Sequence, residues 1–175
     1  ALINVDATKT LLCVKTDNHT PEEFAFLYRN GQNYRDRFEA LEALKSEKSE
    51  LAQQVFTEAL NDPYRGLRKK AIQRADLKNT AVLSTLVKLA DSDPDPEVRA
   101  TALTSLGKTG DKQYAAVAQK YLGPDQPYSV VGAALAALAK LDPQAAVSVS
   151  QSLEGDDSES ITQTLSELYG NAPDR

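Results

Sequence analysis

Asp93-Pro94-Asp95-Pro96-Glu97-Val98-Arg99-Ala100-Thr101-Ala102-Leu103-Thr104-Ser105-Leu106-Gly107 is the stretch that decides the fold. Val98, Ala102, Leu103 and Leu106 fall at i, i+4, i+5 and i+8, the spacing that lays one apolar stripe along an α-helix. The Asp-Pro pairs ahead of them supply a helix cap and a residue suited to the first turn. The same layout stands 31 residues earlier as Asp62-Pro63-Tyr64-Arg65-Gly66-Leu67-Arg68-Lys69-Lys70-Ala71-Ile72. A step further back, Arg37, Ala40 and Leu41 match Arg68, Ala71 and Ile72. Going forward by 32, Val130, Ala134, Leu135 and Leu138 match Val98, Ala102, Leu103 and Leu106. A fainter copy begins at Asp156, with Ile161 in the place of Val130. About five units with a period of about 31 residues therefore run from around residue 33 to the end, the signature of a stacked repeat.

Each unit reads as a pair of helices. The second helices are predicted over 51–60, 80–90, 112–122 and 143–153, reached through turns such as Gly107-Lys108-Thr109-Gly110-Asp111, where Gly ends one helix and Asp caps the next. Small residues gather in Ala133-Ala134-Leu135-Ala136-Ala137-Leu138-Ala139, as close approach of stacked helices requires. The fold class expected is all-α: an α-solenoid of about five helical pairs over 34–175, each burying its apolar faces against its neighbours. Ahead of it, Leu2-Ile3-Asn4-Val5 and Thr10-Leu11-Leu12-Cys13-Val14 are strand-like runs around a turn, giving a short β-hairpin over 1–19. A two-stranded hairpin is marginal by itself, so these strands are expected to belong to a preceding β-domain. Between the two, Thr20-Pro21-Glu22-Glu23 announces a linker helix within 20–33: Thr caps, Pro fits the first position and Glu23 completes a capping box. Phe24, Leu27 and Tyr28 share a face of it, and Gly31 stops it.

The 175 residues carry 20 Lys and Arg against 25 Asp and Glu, a formal charge of −5, which offers no global positive field for a nucleic acid backbone. No apolar run approaches the roughly 18 residues that would span a bilayer. The chain begins at Ala1 and contains no Met, which reads as a piece excised from a longer polypeptide. A single cysteine, Cys13, forms no internal disulfide, and a single histidine, His19, rules out a zinc site of the H-E-x-x-H type in this chain. No Ser-His-Asp set, Cys-His pair or carboxylate dyad assembles at a recognisable spacing, so no catalytic, cofactor or metal residue is expected here.

Several partial motifs have plainer readings. Gly107-Lys108-Thr109 resembles the end of a phosphate loop, but Ala102 stands where that loop needs its first Gly. Asp91, Asp93 and Asp95 alternate like calcium ligands, yet Pro96 and Ala102 occupy positions that need Gly and Glu, and helix capping explains the acids better. In Asn18-His19-Thr20, a glycosylation sequon, Thr20 is better read as the cap and His19 as a surface imidazole. The residues with a structural or docking role are Arg37, Arg68 and Arg99, which recur at the repeat period. In a stack each could reach an acid of a neighbouring unit, such as Asp62 or Asp93, to form a ladder. The alternative, an anion-binding row, draws on the basic segment that holds Arg65, Arg68, Lys69, Lys70, Arg74 and Lys78 against the single acid Asp76. From residue 125 onward eight acids face two bases, so the charge is polarised along the chain.

The quoted stretch from Asp93 to Gly107 resembles the HEAT repeats of the kind also found in phycobilin lyases, a likeness that extends over about 34–169. The opening is similar to another family. Asn4-Val5-Asp6-Ala7, Leu11-Leu12-Cys13-Val14-Lys15-Thr16-Asp17-Asn18, Thr20-Pro21-Glu22-Glu23-Phe24-Ala25-Phe26 and Tyr34-Arg35-Asp36-Arg37 resemble the junction between β-domain and helical C-terminal domain in bacterial aminopeptidase N-like zinc metallopeptidases. That resemblance implies a parent enzyme whose zinc and catalytic residues lie upstream. This chain would then be its non-catalytic C-terminal helical domain, packing on the catalytic domain and shaping access for peptide substrates. The alternative is a free-standing HEAT scaffold that binds a protein partner.

Overall fold

Thr20 opens the first helix as its residues dictate. Its hydroxyl accepts from the Glu23 amide at 3.3 Å, the Glu23 carboxylate accepts from the Thr20 amide at 2.9 Å, and Pro21 takes the first helical position. The structure, a computed structural model, describes residues 18–153 and 159–170. The strands expected within 1–19 lie outside the described residues.

The described residues are helical throughout, with no strand among them: α1 (Pro21–Asn30), α2 (Tyr34–Leu44), α3 (Glu50–Ala59), α4 (Arg65–Arg74), α5 (Thr80–Ser92), α6 (Pro96–Gly107), α7 (Ala115–Gln119), α8 (Tyr128–Leu141), α9 (Pro143–Leu153) and α10 (Glu159–Gly170). The five first helices of the repeat are thus α2, α4, α6, α8 and α10. Three of the four second helices, α3, α5 and α9, stand where the apolar spacing puts them. The fourth does not. In place of a helix over 112–122 the chain makes a 3-10 turn, Lys112–Tyr114, that leads into the five-residue α7. Asp111 caps the 3-10 turn by accepting from the Gln113 amide at 3.0 Å. α7 itself ends at Gln119, with three residues between it and Gly123-Pro124.

The chain divides into two units, one up to Asp76 and one from Leu77. In the first, α1 packs on α2 and α3, and both α2 and α3 pack on α4. Its core is Leu27, Leu41, Leu44, Val55, Phe56, Leu60, Leu67 and Ile72, all essentially removed from water. Burial of such side chains, at about 1.5–3 kcal/mol each, is what holds short helices that would be marginal alone.

In the second unit α6 and α8 are central: α5 and α8 pack on α6, while α7, α9 and α10 pack on α8. The alanine-rich run of α8 does what its composition foretells. Ala134 and Ala137 are buried, and α6 comes so close that a Cβ on Gly107 would stand 2.8 Å from the Cα of Ala137. At the far end, Tyr169 of α10 donates its hydroxyl to the buried Ser150 of α9 at 3.0 Å.

Candidate docking surface

Three arginines recur at the repeat period, and the structure gives each the same task. Arg37 Nη1 donates to the Gly31 carbonyl at 3.2 Å, Arg68 Nη1 to the Asp62 carbonyl at 2.8 Å and Arg99 Nη1 to the Asp93 carbonyl at 2.8 Å. The acceptor is always six residues earlier, in the turn that delivers the chain to that first helix. Arg68 also reaches the Pro63 carbonyl at 3.2 Å. The aspartates of these turns are locked in a matching way: Asp62 Oδ1 accepts from the Tyr64 amide and Asp93 Oδ1 from the Asp95 amide, each at 2.9 Å. The expected reach to an acid of the next repeat is made by Arg37, whose Nε lies 3.0 Å from Asp62 Oδ2. That N–H is not aimed along a hydrogen-bond line, so the contact is Coulombic. The clamp onto the carbonyl at i−6 is the feature that sequence reasoning missed. Its only signal is the fixed spacing of Gly31, Asp62 and Asp93 before their arginines.

Arg99→Ala is therefore expected to lower the unfolding free energy by about 1.5 kcal/mol, the loss typical of a hydrogen bond from a charged donor. Helical content should be unchanged, as read by circular dichroism and urea titration. A loss near zero would return Arg99 to the pool of ligand-binding candidates.

Asp62 is the hub of the first unit. It is buried, accepts from the Tyr28 hydroxyl at 3.1 Å and faces Arg37. Burial, reinforced by the charge of Asp62, holds the Tyr28 phenol protonated far above its ordinary range. The unfolded phenol ionises near pH ~10, so this contribution is fully present below that pH and is lost as pH rises beyond it. Tyr28→Phe should flatten the fall in the urea midpoint between pH ~9 and ~11, and an unaltered alkaline slope would count against the assignment.

The other singled-out residues gather on α4. Its buried side is Leu67, Arg68, Ala71 and Ile72, which leaves Arg65, Gly66, Lys69, Lys70, Gln73 and Arg74 half-buried or exposed. Lys70 pairs with Glu42 of α2 and lies 4.5 Å over the ring of Phe38. The pairing, together with that of Lys45, holds the Glu42 carboxyl below the usual carboxylate range. Gly66 has no side chain to obstruct Tyr34, whose hydroxyl lies 3.3 Å from where its Cβ would be. Tyr34 packs against Phe38 and Tyr64, with ring centroids 5.8 and 5.4 Å apart, and the Arg37 guanidinium sits 5.2 Å over Tyr64. Tyr34 and Tyr64 remain 37% and 47% exposed, so the cluster is a surface and not a core. Sequence reasoning passed over these aromatics, although Tyr34 and Tyr64 stand 30 residues apart at the starts of successive first helices.

The remaining motifs take the plain roles. Asp95 caps α6 by accepting from the Glu97 and Val98 amides, and Asp91 binds Lys120 and Tyr121, so the aspartate run is spent on structure. His19 packs edge-on against Phe24 at 5.5 Å. Among the described residues no group of three or more His, Cys, Asp or Glu is placed to hold a metal, and no helix is long and apolar enough to cross a membrane.

A family model of HEAT repeats matches residues 71–139. The matched segment runs from the last turn of α4 into α8 and so covers the α6–α8 crossing at Gly107 and Ala137. Among solved structures, a chain in the complex of CpcE and CpcF of phycocyanin lyase from Nostoc sp. PCC7120 superposes with a TM-score of 0.70 at 20% identity. The match covers 92% of this chain and 68% of that one. At this identity the likeness shows a shared fold. No curated protein matches the chain. The HEAT-like architecture extends on both sides of 71–139, since α2 and α10 repeat the first-helix position outside it.

Proposed function

We propose that this chain is a HEAT-repeat scaffold that binds a protein partner. The observation that carries the reading is the solvent face shared by α2 and α4, where Tyr34 and Tyr64 stand exposed on packed helices beside cationic side chains. Exposed aromatics on a rigid frame mark interaction surfaces, and aromatic and arginine side chains are enriched where proteins meet. The fold match to a chain that belongs to a two-protein complex is in keeping with it.

The second reading, a C-terminal domain that shapes peptide access in a zinc aminopeptidase, rests on the resemblance of residues 4–37. Residues 4–17 of that stretch lie outside the described residues, and the matches found are to HEAT repeats and a lyase complex rather than to a peptidase. The two readings part in one experiment on the full-length natural protein. Tagged and purified at its native level, it should bring down a defined partner that re-forms a stoichiometric complex when both are purified. Recovery as a single species with aminopeptidase activity abolished by a chelator would overturn the scaffold reading in favour of the second.

A further inference from the structure

We infer that Asn30 is a latent deamidation site, held unreacted by the closed turn between α1 and α2 and modified only when that turn opens. The inference goes beyond the scaffold reading and does not depend on it.

The sequence holds one Asn-Gly step, Asn30-Gly31. Of all following residues glycine leaves an asparagine most open to attack by the next main-chain nitrogen, because it has no Cβ to stand in the way. The fold demands that glycine. A Cβ at position 31 would stand 2.6 Å from the Leu27 carbonyl oxygen and 2.7 Å from the Asp36 Cβ, closer than such atoms approach, although Gly31 keeps an ordinary φ of −66°. The tight entry into α2 therefore imposes the glycine, and the glycine makes its neighbour labile. Asn30 is exposed, so water reaches it.

In the reaction the Gly31 nitrogen bonds to Asn30 Cγ and the Cγ–Nδ2 bond breaks. Nδ2 leaves as ammonia with the proton that Gly31 gives up, and a succinimide ring remains. Water then opens the ring at either carbonyl to give aspartate or isoaspartate, with no change of oxidation state. The groups that must move are fastened. The Gly31 N–H donates to the Leu27 carbonyl at 2.7 Å, Asn30 Nδ2 donates to the Phe26 carbonyl at 2.9 Å, and the Gly31 carbonyl accepts from Arg37 Nη1 at 3.2 Å. Leu27 and Tyr28 anchor the same turn of α1 by their burial. Attack needs the peptide plane between Asn30 and Gly31 to rotate, which breaks the bonds to Leu27 and Arg37. Reaction therefore follows the opening of the turn. Isoaspartate at position 30 would lengthen the main chain by one carbon, and Gly31 could no longer meet Leu27 and Arg37 together, so a chain modified that way does not close the turn again.

The test incubates the 175-residue chain in warm, mildly alkaline buffer, folded or in guanidinium, beside a synthetic peptide of residues 26–35. Peptide mapping by mass spectrometry follows the amide-to-acid change at Asn30, and an isoaspartyl methyltransferase counts the isoaspartate. The folded chain should react at least about tenfold more slowly than the peptide, and the chain in guanidinium at the peptide's rate. Arg37→Lys, which keeps a cation for Asp62 and gives up the guanidinium donor to Gly31, should react at least about threefold faster than the folded parent while circular dichroism is unchanged. Chains aged in guanidinium and then refolded should separate into an aspartate form that melts like Asn30→Asp and an isoaspartate form that melts lower. A folded chain that deamidates at the peptide's rate would overturn the inference, as would an Arg37→Lys rate equal to the parent's or an isoaspartate form as stable as Asn30→Asp.

Discussion

Asp62→Ala is expected to cost about 3–5 kcal/mol of unfolding free energy, enough to leave the first unit largely unfolded at moderate temperature. The side chain is buried and answers to three groups at once: the Tyr28 hydroxyl, the Tyr64 amide and the Arg37 guanidinium. Removing it strands a largely buried cation and two donors, and such orphaned groups keep their full desolvation cost. The Arg68 clamp is unaffected, because it uses the main-chain carbonyl of Asp62. Asp62→Asn retains an acceptor for the Tyr64 amide but puts an NH2 donor where Oδ2 accepts from Tyr28 and faces Arg37, and it gives up the charge, so a loss only somewhat smaller than that of Asp62→Ala is expected. Adding Arg37→Met to Asp62→Ala should recover part of the stability by removing the unmatched cation. Urea titration followed by tyrosine fluorescence measures all three. A loss under about 1 kcal/mol for Asp62→Ala would show that Asp62 is not the hub described.

Gly107→Val is expected to destabilise by about 3 kcal/mol, with Gly107→Ala lower at about 1–2 kcal/mol. The reason is backbone against backbone: the added Cβ would meet the Cα of Ala137 at 2.8 Å and its Cβ at 3.0 Å. Neither atom can swing aside as a long side chain would. α8 cannot retreat either, because it is held by α7, α9 and α10. Ala137→Gly in the Gly107→Ala background should give little rescue, since it removes the farther of the two atoms and weakens α8 by about 1 kcal/mol. A denaturation midpoint unchanged by Gly107→Val would mean that α6 and α8 do not cross at this point.

Much of the fold could be read from local residues. Thr20, Pro21 and Glu23 form the capping box their identities require, and Asp95 with Pro96 starts α6 where the repeat pattern puts it. The register of five first helices followed from buried positions such as Leu67, Ala71 and Ile72 recurring as Val98, Ala102 and Leu103. Segment 112–122 misled because its apolar residues keep helical spacing, whereas the chain spends Lys112–Tyr114 on a 3-10 turn capped by Asp111 and is α-helical only over Ala115–Gln119. The site was legible in part. The basic residues of α4 were visible as charge, and the arginines as a period. Which face of α4 they occupy, and that Tyr34 and Phe38 of another helix lie beside it, depends on how two helices pair, and periodicity within one helix carries no record of that.

The arginine clamp also bears on how such a chain can grow. Because Arg68 closes on the turn at Asp62 and Arg99 on the turn at Asp93, each fastening lies wholly inside the segment it secures. A copying event that duplicates one 31-residue stretch would therefore deliver the new repeat with its entrance already fastened. Only contacts to the flanking copies, of the kind Arg37 makes with Asp62, would have to be made afresh. Arrays assembled from parts that arrive self-fastened can lengthen or shorten by whole units, and the number of repeats becomes a variable on which selection can act separately from the sequence of any one of them.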